Sequence, residues 1–371
     1  MEVYTILLLW VIFTGYFSNK RISYNHIFNI SGEKMYLFLS FSFIWILMAF
    51  RSPYIGTDTL AYSEYYAAFA NANSLTNALN EEFLSGDVFK FLSYFLGAIS
   101  TSSAFYIFWT STFICIGIAL YIYRTSKSIP MSTFLFLTLN LFFISMNIGR
   151  QWIAIVLSLN ALIFIYKDSR SILGWGLFFL SIGIHNVIAL FLPAYISVLL
   201  VKRYGSNKFI YYAFILCALS CSLLSFVDMI TVLQYFPHYI RYIDGTNPDG
   251  LIGDTGNGKI VIEYILFLCI LVLLKIKNKK EREQVDFVMS IIPAVLFSVI
   301  IGIAFSKNNL MNRILIPYQC LFLTIIPYTL LKYKAVTRVM LYIILFSGLI
   351  FNYYLRMDGN LGNIIPYEIG I

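Results

Sequence analysis

The sequence predicts an all-α polytopic membrane protein of about 12 transmembrane helices, and three observations carry that prediction. Of 371 residues, 60% are hydrophobic and only 12% charged, where a soluble domain has roughly a quarter charged. The apolar residues gather into runs near the length that crosses a bilayer. Lysine and arginine concentrate in alternate connections between those runs, the pattern that orients helices in a membrane.

Taken in order, the first run, 2–18, has neither a basic leader nor a small-residue cleavage site, and is expected to be retained as a helix. The second, 34–50, ends at Arg51 and opens a polar outer segment, 51–102. That segment begins with a turn through Pro53 and Gly56, then Thr57, Asp58 and Thr59, which resemble a helix N-cap. On its own this is equally well an ordinary turn with a capping aspartate. The stretch Asp87 to Ile99 is hydrophobic but too short to cross, so it is expected to lie in the interface or re-enter. Further runs follow at 103–123, 130–148, 150–166, 170–185, 187–201 and 208–226. A second outer loop, 227–258, precedes the last four runs, 259–275, 287–305, 313–331 and 338–355. All of 1–371 reads as one integral membrane domain.

If 88–100 does not span, one side of the membrane holds 18 of the 26 Lys and Arg, and that side is cytoplasmic by the positive-inside rule. Both termini and both long segments then face outward. The outer minority is Arg51, Lys90, Arg150, Arg241, Lys259, Lys307, Arg313 and Arg356, in which Arg outnumbers Lys. Lys suffices to orient a helix, whereas Arg offers a planar fork that matches phosphate or carboxylate. Arg51, Arg150 and Arg313 sit where apolar helices meet the outer face, and ionisable groups at membrane depth are functional candidates. The plainer reading of any one of them is snorkelling at the interface.

Other candidates cluster on the same side. Arg150 and Gln151 open a helix, where donors stand beside a positive helix terminus. His185 ends the sixth long helix, and an imidazole takes up a proton near neutral pH; a lone histidine at a helix end is more often structural. Residues 235–242, with His238 and Arg241, are aromatic and basic, a composition that suits sugars or equally an interfacial belt. The Gly/Asp-rich stretch after them lacks the ligand pattern of a calcium loop. The five cysteines fall in apolar runs without metal-ligand spacing, so no metal site and no cofactor is expected. A net charge of +8 is scattered over short loops rather than arranged in a nucleic-acid stripe. No phosphate-binding loop, dinucleotide fingerprint or hydrolase elbow is present, so outer-face chemistry would need a substrate carrying its own leaving group.

Four stretches together resemble a known family. Residues 51–65 read R-S-P-x-x-G-T-D-T-x-x-Y-x-x-Y, and Asn147 to Ala154 open a helix with Arg-Gln. Gly183 to Pro193 place a His before a Pro-containing helix junction, and Met311 to Tyr318 carry an Arg at a late helix start. In this order they are similar to the motifs of the EpsG family of Wzy-type polysaccharide polymerases. The resemblance implies a GT-C-like multi-helix glycosyltransferase of the bacterial inner membrane, joining undecaprenyl-diphosphate-linked oligosaccharide repeats at the outer face without a metal. That lipid-linked oligosaccharide would be both donor and acceptor, and a chain-length regulator protein a partner. Arg51, Arg150 and Arg313 would hold the diphosphate with Gln151, and Arg241 more weakly. His185 or Asp58 would take the acceptor proton, and Tyr62 and the loop bearing His238 would line the sugar path. Two other readings stay open, a transporter or flippase of lipid-linked glycans and a lipid-linked glycan ligase.

Overall fold

The computed structural model describes residues 1–18, 32–81, 86–223, 257–278, 286–306, 309–360 and 362–370. Among these residues the chain is helical, with no strand and one isolated antiparallel bridge. Within the described residues the expected apolar runs are helical, but they differ in length. Among the described residues seven helices are long and apolar enough to cross a membrane, or up to eight if one bent pair is a single span, where 12 spans were expected. Three of the expected spans, Glu2–Tyr16, Ile172–Ile184 and Lys208–Ser222, are shorter apolar helices among the described residues. The shortening has visible causes in Ile172–Ile184. Ser171 caps its start by accepting from Gly174 N at 3.1 Å, and His185 ends it by turning extended at φ −148°.

The chain divides into two compact units, Met1–Ala189 with Leu323–Ile371, and Leu190–Phe322. The first contains α1 (Glu2–Phe17), α2 (Gly32–Ala49), α3 (Thr59–Ala70), α4 (Leu75–Asn80), α5 (Asp87–Gly97), α6 (Ser103–Thr125), α7 (Ile129–Thr138), α8 (Leu141–Asn147), α9 (Gly149–Lys167) and α10 (Ile172–Ile184). At its centre stands α9, buried along almost its entire length. Small residues let its neighbours approach: Gly117 of α6 faces Val156, and Gly174 of α10 faces Ile165. A polar tie reinforces the first contact, Asn160 donating to the Gly117 carbonyl at 3.0 Å and accepting from Arg124 at 3.2 Å. Between α7 and α8 the chain bends by 58° at Asn140, which sits left-handed at φ 61°. Short α5 reaches only 11 residues, as its apolar length foretold.

In the second unit are α11 (Leu192–Tyr204), α12 (Lys208–Ser222), α13 (Asn257–Asn278), α14 (Phe287–Ala304) and the first part of α15 (Asn309–Leu331). Here Ser197 donates to the Ser290 carbonyl at 2.7 Å, and Phe267 stacks on Phe322 at 3.8 Å. The last helix, α16 (Ala335–Asp358), belongs to the first unit and stacks Phe346 on Phe134 of α7 at 4.3 Å. Its other face exposes Val336, Val339, Ile343, Ile344 and Phe351, the composition of a lipid-facing surface.

Candidate functional site

Arg51 follows the end of α2 and is 4% exposed. Its Nη1 donates to the Met48 carbonyl and to Ser111 Oγ, the latter at 3.1 Å. Its Nη2 donates to the Met146 carbonyl at 2.6 Å. Met48 and Met146 lie in the last turns of α2 and α8, so one guanidinium closes two helix C-termini, whose partial negative charge favours a cation. Burial lowers its pKa to about 10 by desolvation, opposed by nearby Tyr106 and other polar groups; it keeps its charge at neutral pH. Among the described residues Arg51 has no carboxylate partner. The main chain around it is covered by the C-terminal segment. Ser52 N donates to the Glu368 carbonyl and Gly370 N to the Phe50 carbonyl, both at 2.9 Å. Gly370 is required there, since a methyl on it would come within 2.8 Å of the Arg51 carbonyl oxygen.

The loop after Arg51 turns at Gly56, where φ is +99°, and leads into α3. Asp58 occupies the N-cap position as expected, but its carboxylate makes no capping hydrogen bond. Asn147 takes that part instead: its Oδ1 accepts from Asp58 N at 3.0 Å and from Thr57 Oγ1 at 3.1 Å. Thr59 Oγ1 donates to the Met146 carbonyl at 3.0 Å. The two sequence motifs 51–66 and 147–154 are thereby locked to each other through Met146 and Asn147.

Arg150, second residue of α9, is 5% exposed. Its guanidinium lies 5.8 Å from the ring centres of both Tyr62 and Phe89, a cation held between two aromatic faces. Gly86 makes room for it. That residue has φ +107°, and a methyl there would strike the Ile184 carbonyl oxygen and come 3.2 Å from Arg150 Nη1. Arg150 therefore stands beside the end of α10, where His185 follows directly. Behind it, Phe89, Tyr106, Trp109 and Tyr66 form a ring cluster with centroid separations of 5.5 to 6.5 Å. The Tyr66 hydroxyl donates to the Ser100 carbonyl at 2.6 Å, and burial pushes its pKa up to about 12.

The first unit thus brings Arg51, Asp58, Tyr62, Arg150, Gln151 and His185 to one end of its helices. Gln151 is 4% exposed; Asp58, Tyr62 and His185 are half-buried. Arg313, also half-buried, lies in the first turns of α15, in the second unit. Arg241, His238 and the loop 227–258 lie outside the described residues, apart from the first turn of α13. The sequence reading missed Gly86, Tyr106 and the covering segment 362–370, and it gave Asn147 no role. A lone Asn before an Arg-Gln pair, at the break between two helices, was the one available signal for the last of these.

The profile of the EpsG family matches residues 34–369, nearly the whole chain. No curated protein and no solved structure matches the sequence.

Proposed function

The chain belongs to the EpsG family, which includes Wzy-type polymerase-like proteins, and from that premise we propose that it polymerises lipid-linked oligosaccharide repeats at the outer face of the bacterial inner membrane. The observation that carries this reading is Arg150, a buried cation in the first turn of α9, flanked by the Tyr62 and Phe89 rings and beside the end of α10. A cation at a helix N-terminus is an anion site, and rings beside it suit sugar faces.

In the proposed reaction an acceptor hydroxyl oxygen bonds to the anomeric carbon of the donor repeat as that carbon's bond to the diphosphate oxygen breaks. The electron pair leaves with undecaprenyl diphosphate, and the acceptor proton goes to His185 or Asp58. Arg150 contacts the diphosphate with Gln151 and stabilises the charge that grows on the leaving group. Arg51, bonded to two main-chain carbonyls, acts from behind by fixing the Met146–Asn147 turn and adding positive potential. The family resemblance extends the reading to Arg313, whose replacement by Ala is expected to shorten the product.

Purified protein supplied with an undecaprenyl-diphosphate-linked repeat alone should give a ladder of elongated products, and Arg150→Ala only single repeats. A ladder that persists at native length in Arg150→Ala removes the basis of the reading. The bent pair α7–α8 favours one rival, since transporters use broken helices. Movement of the lipid-linked repeat across liposomes with no new glycosidic bond would establish that rival. Product formed only when a second class of acceptor is added would indicate a ligase.

A further inference from the structure

Tyr106 on α6 is 2% exposed, and its hydroxyl has no hydrogen-bond partner. A buried hydroxyl left unmatched is costly, and such groups in native structures call for an explanation. Rings of Tyr66, Phe89 and Trp109 pack around it at 5.5, 6.5 and 6.0 Å and fix its direction. The hydroxyl points at the start of α9: the nearest atom to a methyl placed on Gly149 would be Tyr106 Oη, at 3.5 Å. The N-cap position of this 19-residue helix is Ile148, whose side chain offers the first-turn N–H groups nothing. Tyr106 is also within electrostatic range of Arg51, Arg150, Tyr62 and Asp58 together. An unmatched buried hydroxyl aimed at a helix start without a side-chain cap calls for an acceptor with several oxygens, in a place where two guanidinium groups make the potential positive.

We propose that the Tyr106 hydroxyl donates a hydrogen bond to a phosphoryl oxygen of a diphosphate held at the start of α9, alongside Arg150. This rests on the reading of that helix end as the site of a lipid-linked diphosphate, and adds to it a neutral donor that the sequence motifs do not mark. A hydroxyl on a ring locked among three others holds one direction, so it selects position as well as charge. The same chemistry fits a free diphosphate and a lipid headgroup.

The test is calorimetric titration of the full-length protein in detergent with inorganic pyrophosphate and, separately, geranylgeranyl diphosphate. Tyr106→Phe removes one oxygen and keeps the ring. It should weaken binding about tenfold, the effect of losing a hydrogen bond to a charged group, while the thermal midpoint of the ligand-free protein holds or rises because an unmatched buried hydroxyl is gone. Arg150→Ala should weaken it at least as much. Binding of both probes points to recognition of the phosphates alone, and binding of only the prenylated one to a lipid source; in either arm the loss in Tyr106→Phe supports the proposal. Native affinity in Tyr106→Phe, with Arg150→Ala still impaired, overturns the role of Tyr106 and leaves the site standing. Weaker binding accompanied by a lower midpoint makes the hydroxyl structural and also overturns it. No binding by the native protein, or none lost in Arg150→Ala, removes the site and the proposal together.

Discussion

At the scale of single residues, two arginines that look alike in sequence do different physical work. Arg51 reaches the carbonyls of Met48 and Met146 with separate nitrogens, a span that a lysine's single ammonium does not reproduce. Arg51→Lys is expected to lower stability by about 2 kcal/mol, read as a drop in thermal midpoint, with activity falling as a consequence. Arg150→Ala should instead lower activity with the midpoint nearly unchanged. Asn147→Ala removes the acceptor for Asp58 N and Thr57 Oγ1 and should cost about 1 kcal/mol, as loss of a helix cap does; Asn147→Asp, which keeps an acceptor oxygen, should recover most of it. Because Arg51 titrates only at about 10, its charge is constant through neutral pH. The sequence marks both arginines because guanidinium at membrane depth is rare. It does not separate them, since a main-chain carbonyl acceptor leaves no trace in residue type.

Among elements, the break between α7 and α8 shows where pattern ends and conformation begins. The apolar run 130–148 is continuous in hydrophobicity, so it reads as one helix, yet Asn140 takes φ 61° and splits it. Asparagine is one of the few residues besides glycine to adopt that region readily, which is compatible with the bend but does not require it. The backbone groups released at the break find partners in part, Asn352 of α16 donating to the Thr138 carbonyl at 3.3 Å, as apolar surroundings demand. Asn140→Gly should be tolerated, whereas Asn140→Val should destabilise by about 1–2 kcal/mol through the left-handed backbone, measured by chemical or thermal unfolding in detergent. The opening of α9 at the Arg-Gln pair was legible because the motif and the end of the preceding apolar run coincide. The short length of α5 was legible from its apolar count alone.

For the whole molecule, composition and periodicity were enough to give an all-helical membrane protein, and its described apolar stretches are helices. The number of true crossings was less legible, because helices such as Ile172–Ile184, 13 residues long, are shorter than a bilayer needs, and run length in sequence overstates helix length wherever a cap residue intervenes. What sequence could not show is pairing at long range. Tyr4 donates to the Ile364 carbonyl at 2.9 Å, 360 residues away, Tyr353 returns a bond to the Tyr4 carbonyl, and Glu368 and Gly370 close over Arg51. No local pattern records such contacts. Deleting 359–371 should lower the thermal midpoint and open the 51–58 loop to limited proteolysis, measured against Arg150→Ala as a control that leaves the loop closed. A practical corollary concerns purification handles and the ribosome alike. A label inserted beside Gly370 would press on its close backbone contact with Arg51, so tagged chains should carry the label away from this segment. During synthesis, Arg51 emerges long before the segment that will cover it, and must wait until residues 362–370 have been made.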